Sequence, residues 1–411
     1  MRSYVRTDKE DMTGFSLVEL MISLAIGSII VIALVSLFVN ASRSNRDIAR
    51  NNSMIENGRF AMQALREDAW HSGYWINHVP RFSDLSHKDP PDDLPILTEA
   101  APNPCLAFGS WTTSYRNALI AVPLQTYESG TFCPSIVQDK VAGTDVLVVR
   151  HAATCEPYTL GVGDCAPVSA GSAELRFQNS LCEDELDPAE DPATGITPPA
   201  TLFRLSNVTG ELNLKKRDCT TLAGVRRFVS NIYYVRSYAT SPGDGIPTLV
   251  RSRFGLSGGV PGQLPAEPVV EGIEGFRVEL GIDNISKTGE PVNPSAAVIF
   301  TDPYDLSTPR NRGDGSPDGL FIRCQDLLPC TNAQLMNAVV ARIHILARGQ
   351  EPVAGFTDPR LYEFGAAPSM CAIGSSIAGC DLKTLVPGYR RQMFTSALRL
   401  INVTARREIP P

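Results

Sequence analysis

Histidine is scarce, five in 411 residues, and no two of them form a His-Glu-x-x-His pair. Cys-x-x-Cys is absent, and His71, His78, His87, His151 and His344 keep no zinc-finger spacing to the ten cysteines. Both absences argue against a zinc site. No phosphate-binding glycine loop occurs, and no basic stripe interleaved with aromatics appears in a chain of net charge −7, so nucleic acid is not an expected partner. No catalytic constellation is read and the expectation is a non-enzyme. In the alternating run 339–346, Ala341, Ile343 and Ile345 share one face and Arg342, His344 and Leu346 the other, so His344 reads as an ordinary strand residue.

Long apolar runs are missing everywhere except at residues 15–39, FSLVELMISLAIGSIIVIALVSLFV, which hold a single ionisable side chain, Glu19. As a helix this segment extends about 37 Å, enough to cross a hydrocarbon core of about 30 Å. It is too long for the apolar part of a removable secretory signal, about 7 to 15 residues. Cysteine is missing before Cys105, so all ten lie on one side of the apolar run, the pattern of an exported domain in an oxidising compartment. Nearest-neighbour pairing would close Cys105 with Cys133, Cys155 with Cys165, Cys182 with Cys219, Cys324 with Cys330, and Cys371 with Cys380. That is one connectivity among many the sequence leaves open.

A carboxylate inside an apolar span costs roughly 2.5 to 3.5 kcal/mol on insertion scales and points to function. The string Gly14-Phe15-Ser16-Leu17-Val18-Glu19-Leu20 resembles the type III signal of type IV prepilins and pseudopilins. The resemblance implies cleavage by a prepilin peptidase between Gly14 and Phe15, methylation of Phe15, and an assembly role for Glu19. It divides the chain into a leader at 1–14, the membrane part of a long helix at 15–39, an amphipathic continuation at 40–75 and a β-rich periplasmic domain at 76–411. The leader carries Asp8, Glu10 and Asp11 beside Arg2, Arg6 and Lys9, so the positive-inside rule does not orient the helix. The cysteines and the resemblance put the C-terminal part outside.

Beyond the span, Ile48, Ile55, Met62 and Ala69 recur every seven residues with Gly58 and Leu65 between them, an apolar face that suggests docking on a globular domain. Short alternating or β-branched runs at 146–149, 202–205, 228–238, 249–254, 276–282, 339–346 and 394–403 read as antiparallel strands packed on that helix. The fold class expected is therefore α+β. The stretch from 56–61 through 73–75 and the segments 271–283, 340–348 and 389–399 resemble PilW-type minor pilins, which implies a non-catalytic subunit that helps initiate type IV pilus assembly in a tip complex. Its implied partners are the prepilin peptidase, other minor pilins, the major pilin and the inner membrane, before residence in the pilus. The alternatives are a type II secretion pseudopilin of the GspJ type, a membrane-tethered periplasmic enzyme, and a tip adhesin, the last compatible with the first. Residues 313–319 resemble the second half of an EF-hand loop, with Asp314 and Asp318 on later ligand positions, but Arg310 and Arg312 occupy the first two. A plain Asp-Gly turn is the favoured reading there, with calcium the cofactor alternative.

Overall fold

The computed structural model describes residues 16–76, 99–129, 133–155, 173–182, 185, 203–293, 296, 298–302 and 305–404, with side chains at 301–308 left aside. The chain divides into two units, one ending at Ser53 and the other starting at Met54. A single helix, α1 (Leu17–His71), runs through both. In the first unit its apolar side chains, Leu17 through Phe38, are exposed. Among the described residues it is the one helix long and apolar enough to cross a membrane.

In the second unit α1 buries Met54, Gly58, Ala61, Met62, Leu65 and Ala69. The seven-residue series therefore joins the core late: Ile48 is exposed and Ile55 partly buried, because the core covers α1 only from Met54 onward. The helix ends at His71, short of Trp75, and Gly73 turns the chain at φ +74° while its N–H donates to the Arg150 carbonyl at 3.0 Å. That left-handed conformation suits glycine. The turn drops Trp75 into an aromatic cluster with Phe177 and Phe228, where its Nε1–H donates to the Ile120 carbonyl at 3.0 Å.

Shorter helices among the described residues include α2 (Thr113–Ala121), α3 (Asn332–Met336) and α4 (Ile401–Thr404). The strands of the first sheet are β1 (Leu124–Tyr127), β2 (Val146–Ala152), β3 (Arg176–Asn179), β4 (Phe203–Ser206), β5 (Val225–Arg236), β6 (Thr248–Ser257), β7 (Val260–Gln263) and β8 (Glu267–Glu271). They pair in the order β1-β2-β5-β3-β4, with β6 also on β5 and carrying β7 and β8. The second sheet has the order β16-β12-β9, from β9 (Ile273–Ile282), β12 (Ala338–Arg348) and β16 (Arg391–Arg399). The described residues also form two small sheets, β10 (Phe300–Asp302) with β11 (Asp305–Pro309), and β13 (Tyr362–Phe364), β14 (Ala367–Ala372) and β15 (Leu382–Leu385). The expected antiparallel pairing holds throughout the described sheets except between β14 and β15, which run parallel.

The main core lies between α1 and the sheets. Ala341, Ile343 and Ile345 on β12, with Phe276, Val278 and Leu280 on β9, meet Met62, Leu65 and Ala69 there. The opposite face of the three-stranded sheet holds charge. Asp145, fully buried, accepts hydrogen bonds from Arg277 Nη1 at 3.2 Å, Arg323 Nη2 at 2.6 Å and the Val278 N–H at 3.0 Å. Glu274 pairs with Arg391 at 2.6 Å, and Asp358 with the same guanidinium at 3.3 Å. Buried ions are tolerable only in such pairs.

Disulfides close Cys105–Cys133, Cys182–Cys219, Cys324–Cys330 and Cys371–Cys380. These are four of the nearest-neighbour pairs. The fifth, Cys155 with Cys165, involves Cys165, which lies outside the described residues.

Candidate functional site

The start of α1 is built by two side chains. The Ser16 hydroxyl accepts the Val18 N–H at 3.2 Å, and the Glu19 carboxylate accepts the Ser16 N–H at 3.0 Å. This reciprocal Ser-x-x-Glu cap satisfies two amides that have no partner inside the helix. The carboxylate also sits in the first turn, where the positive end of the helix dipole favours an anion. The cap is spelled in the sequence as Ser16-Leu17-Val18-Glu19, yet the reading of Glu19 as an acid in search of a positive partner passed over it. Gly14 and Phe15 lie outside the described residues.

Asp314 and Asp318 are turn residues. Asp314 accepts the Ser316 N–H at 2.8 Å, and Asp318 Oδ2 accepts the N–H groups of Asn284 and Ile285 at 2.9 and 2.8 Å. The nearby buried carboxylate is Asp283, which takes the N–H of Gly315 at 2.8 Å and so fastens this loop to the end of β9. Among the described residues no group of three His, Cys, Asp or Glu is arranged to hold a metal.

His344 faces away from α1, as the alternation in its strand predicts, and is buried there. Its Nε2 lies 3.2 Å from Glu279 Oε2 and its Nδ1 3.0 Å from the Thr395 hydroxyl on the paired strand. Sequence reasoning missed this partnership, because the two partners are 65 and 51 residues away. Burial acts to raise the Glu279 carboxyl, but the hydrogen bonds from His344 and the Ala366 N–H, with the charges of His344 and Arg342, hold it below the ordinary value. Gly365 permits this approach: at φ +65° it brings the Ala366 N–H to Glu279, and a Cβ on it would stand 2.2 Å from the carboxylate. With Arg342 at 3.4 Å on the same carboxylate, the group reads as a closed ionic network.

One catalytic pattern does occur in the chain. Gly255-Leu256-Ser257-Gly258-Gly259 has the spacing Gly-x-Ser-x-Gly, but it forms the tip of the β6–β7 hairpin, with Ser257 paired to Val260. A nucleophile elbow requires a strand-to-helix turn.

A further polar cluster joins the end of α1 to the first sheet: Asp68 Oδ1 lies 3.2 Å from His151 Nε2, and its Oδ2 accepts the Asn231 amide at 2.9 Å. It lines a cleft of about 240 Å³.

Residues 232–402, which run from the middle of β5 into α4, match the family model PilW, described as type IV pilus-assembly protein W. Among solved structures the chain is similar to a type IV-like pilin from Thermus thermophilus, at 10% identity over 85% of this chain and 97% of that one, with a TM-score of 0.29. No curated protein matches the chain significantly.

Proposed function

We propose that this chain, whose residues 232–402 match the type IV pilus-assembly protein W family, is a non-catalytic minor pilin. It is cut after Gly14, anchored by the apolar part of α1 with the cysteine-bearing domain in the periplasm, and acts in a priming complex of minor pilins at the pilus tip. The observation that carries this reading is Glu19, a carboxylate at the head of the exposed apolar helix, four residues after Phe15 in the sequence.

The chemistry asks for a cation. A cut before Phe15 creates an amine four residues ahead of Glu19, and a carboxylate at membrane depth stays ionised only beside positive charge. The amine of a neighbouring subunit serves assembly better than the chain's own, since a subunit out of register then leaves two charges unpaired. The capping hydrogen bond from Ser16 offers a competing role for Glu19, and two variants separate the two. Glu19→Gln keeps an acceptor for the Ser16 N–H and removes the charge, whereas Glu19→Ala removes both.

At equal amounts of mature protein in the membrane, both variants are expected to lower co-purification with partner pilins about ten-fold, the change that about 1.4 kcal/mol makes, and to reduce surface piliation. Wild-type behaviour of Glu19→Gln beside a defective Glu19→Ala would assign the residue to the cap alone. Intact-mass measurement is expected to find residues 1–14 removed and Phe15 methylated; their retention in the membrane-extracted protein overturns the reading.

A further inference from the structure

Within the second unit, α1 and β16 leave a groove of about 920 Å³ between them. On the helix side it is lined by Arg59, Met62, Arg66 and Trp70, and on the strand side by residues 393–396. Trp70 is 54% exposed, an unusual position for an indole that has a core beside it. Its floor on the sheet side includes the ring of Phe394, which packs against Gly58.

β16 pairs with β12 on one side only, and among the described residues no strand lies on its other side. The direction of its backbone groups follows from the register. Leu400 donates to Val339 and the Arg390 carbonyl accepts from Gly349, so the even-numbered residues between them bond to β12. Met393, Thr395 and Ala397 therefore turn their N–H and C=O groups away from β12, Met393 and Thr395 on the wall of the groove, with the Met393 carbonyl accepting from Gln392 Nε2 at 3.2 Å. An edge of this kind is a template for another strand.

Charge selects the occupant. Arg59 and Arg66 are exposed, and among the described residues neither side chain makes an ion pair or hydrogen bond. The acid on this wall, Glu67, is already bonded to Gln63 at 2.8 Å. A second copy pairing β16 with β16 in antiparallel fashion would bring Arg399 of one chain toward the arginines at 390 and 391 of the other, and would double the charge of the groove. The two guanidinium groups, seven residues apart on α1, are about 10 Å apart along it, the span of about three residues of an extended strand.

We propose that this groove receives an extended acidic segment of a neighbouring pilus subunit, which adds a strand outside β16 and sets two carboxylates against Arg59 and Arg66. The proposal rests on the pilin reading above and names where one partner binds.

The test uses the full-length chain in piliated cells, with a photo-crosslinking amino acid at Gln63, an exposed position in the groove. The expected crosslink joins Gln63 to another pilus subunit at a segment carrying two carboxylates two to four residues apart. Arg59→Glu with Arg66→Glu is expected to cut that crosslink at least ten-fold, and reversing the partner's two acids to lysine is expected to restore it. Ala397→Pro removes an outward N–H and leaves the bonds to β12 in place, so it is expected to cut the crosslink while the melting temperature stays near wild type. Crosslinks to a second copy, to residues 405–411 of the same chain, to a helical segment, or to nothing overturn the proposal, as does an undiminished crosslink in the charge-reversed variant. Co-purification of other pilins that survives charge reversal but is lost in Glu19→Ala removes the groove and leaves the pilin reading standing; absence of co-purifying pilins in wild type removes both.

Discussion

Glu279 holds its place through four neighbours at once, His344, Arg342, the Ala366 N–H and the turn at Gly365. Its carboxyl lies below the ordinary value of 4.5 despite its burial. Asp358 behaves alike: burial opposes ionisation, but hydrogen bonds from Arg360 and Tyr362 and the Arg360 charge keep it below 3.8. Because each folded carboxyl binds its proton less tightly than the unfolded one, the stabilisation is complete above those ordinary values and is lost as pH falls through the lower folded ones. The melting temperature of the detergent-extracted protein should therefore stay nearly level from about pH 7 to 5 and fall steeply below about 4. Glu279→Gln should cost about 2 kcal/mol at neutral pH, the worth of hydrogen bonds to a charged group, and flatten the acid slope. A variant whose acid slope matches wild type would show that Glu279 does not carry it. None of this was legible in the sequence beyond the face on which His344 lies, because the partners come from separate strands and a loop.

At the scale of elements, legibility followed length and period. The runs 228–238, 249–254, 276–282 and 339–346 announce themselves by alternation or apolar character, and each contains a strand, although β5 stops at Arg236, two residues short of the expected end. The run at 394–403 divides, because β16 ends at Arg399 and the chain turns into α4. The helix α2 was not anticipated, although Thr112 caps it by accepting the Tyr115 N–H. Nor was α3, whose capping box is spelled Thr331-Asn332-Ala333-Gln334. Helices of nine and five residues are too short to establish a 3.6-residue period. The small residue expected on the docking face of α1, Gly58, proves to be where the helix and β16 approach: a Cβ there would lie 2.1 Å from Phe394 Cε2. Gly58→Ala must therefore displace the ring, at about 1 to 3 kcal/mol for overpacking. Urea unfolding followed by tryptophan fluorescence should find that loss, and Gly58→Ala with Phe394→Leu should recover most of it, a coupling that a double-mutant cycle measures. Full stability of the single variant would mean that the ring moves into the groove at little cost.

The molecule as a whole is one helix shared by two units whose demands differ. Through Val39 the helix offers apolar side chains to its surroundings, and up to Ser53 it buries none in a protein core, whereas from Met54 it supplies a wall of the main core. The apolar run marks residues 15–39 as the expected membrane part of the helix, but the residue where the core begins, Met54, depends on the sheets that cover α1, which the helix sequence does not encode. The division predicts opposite outcomes for two truncations. A chain starting at Arg50 keeps Met54, Ala61, Met62, Leu65 and Ala69, all buried, together with the four described disulfides, and should be soluble without detergent and melt in one cooperative transition. A chain starting at Ser72 loses all five. Removing a buried leucine or methionine side chain costs about 2 to 5 kcal/mol, so loss of Met54, Met62 and Leu65 alone approaches the whole stability of a domain, about 5 to 15 kcal/mol. That second fragment should lack a cooperative transition and bind a hydrophobic dye even with its disulfides intact. If it melted cooperatively, the sheets would have a core of their own and α1 would be an attachment to the domain instead of part of it.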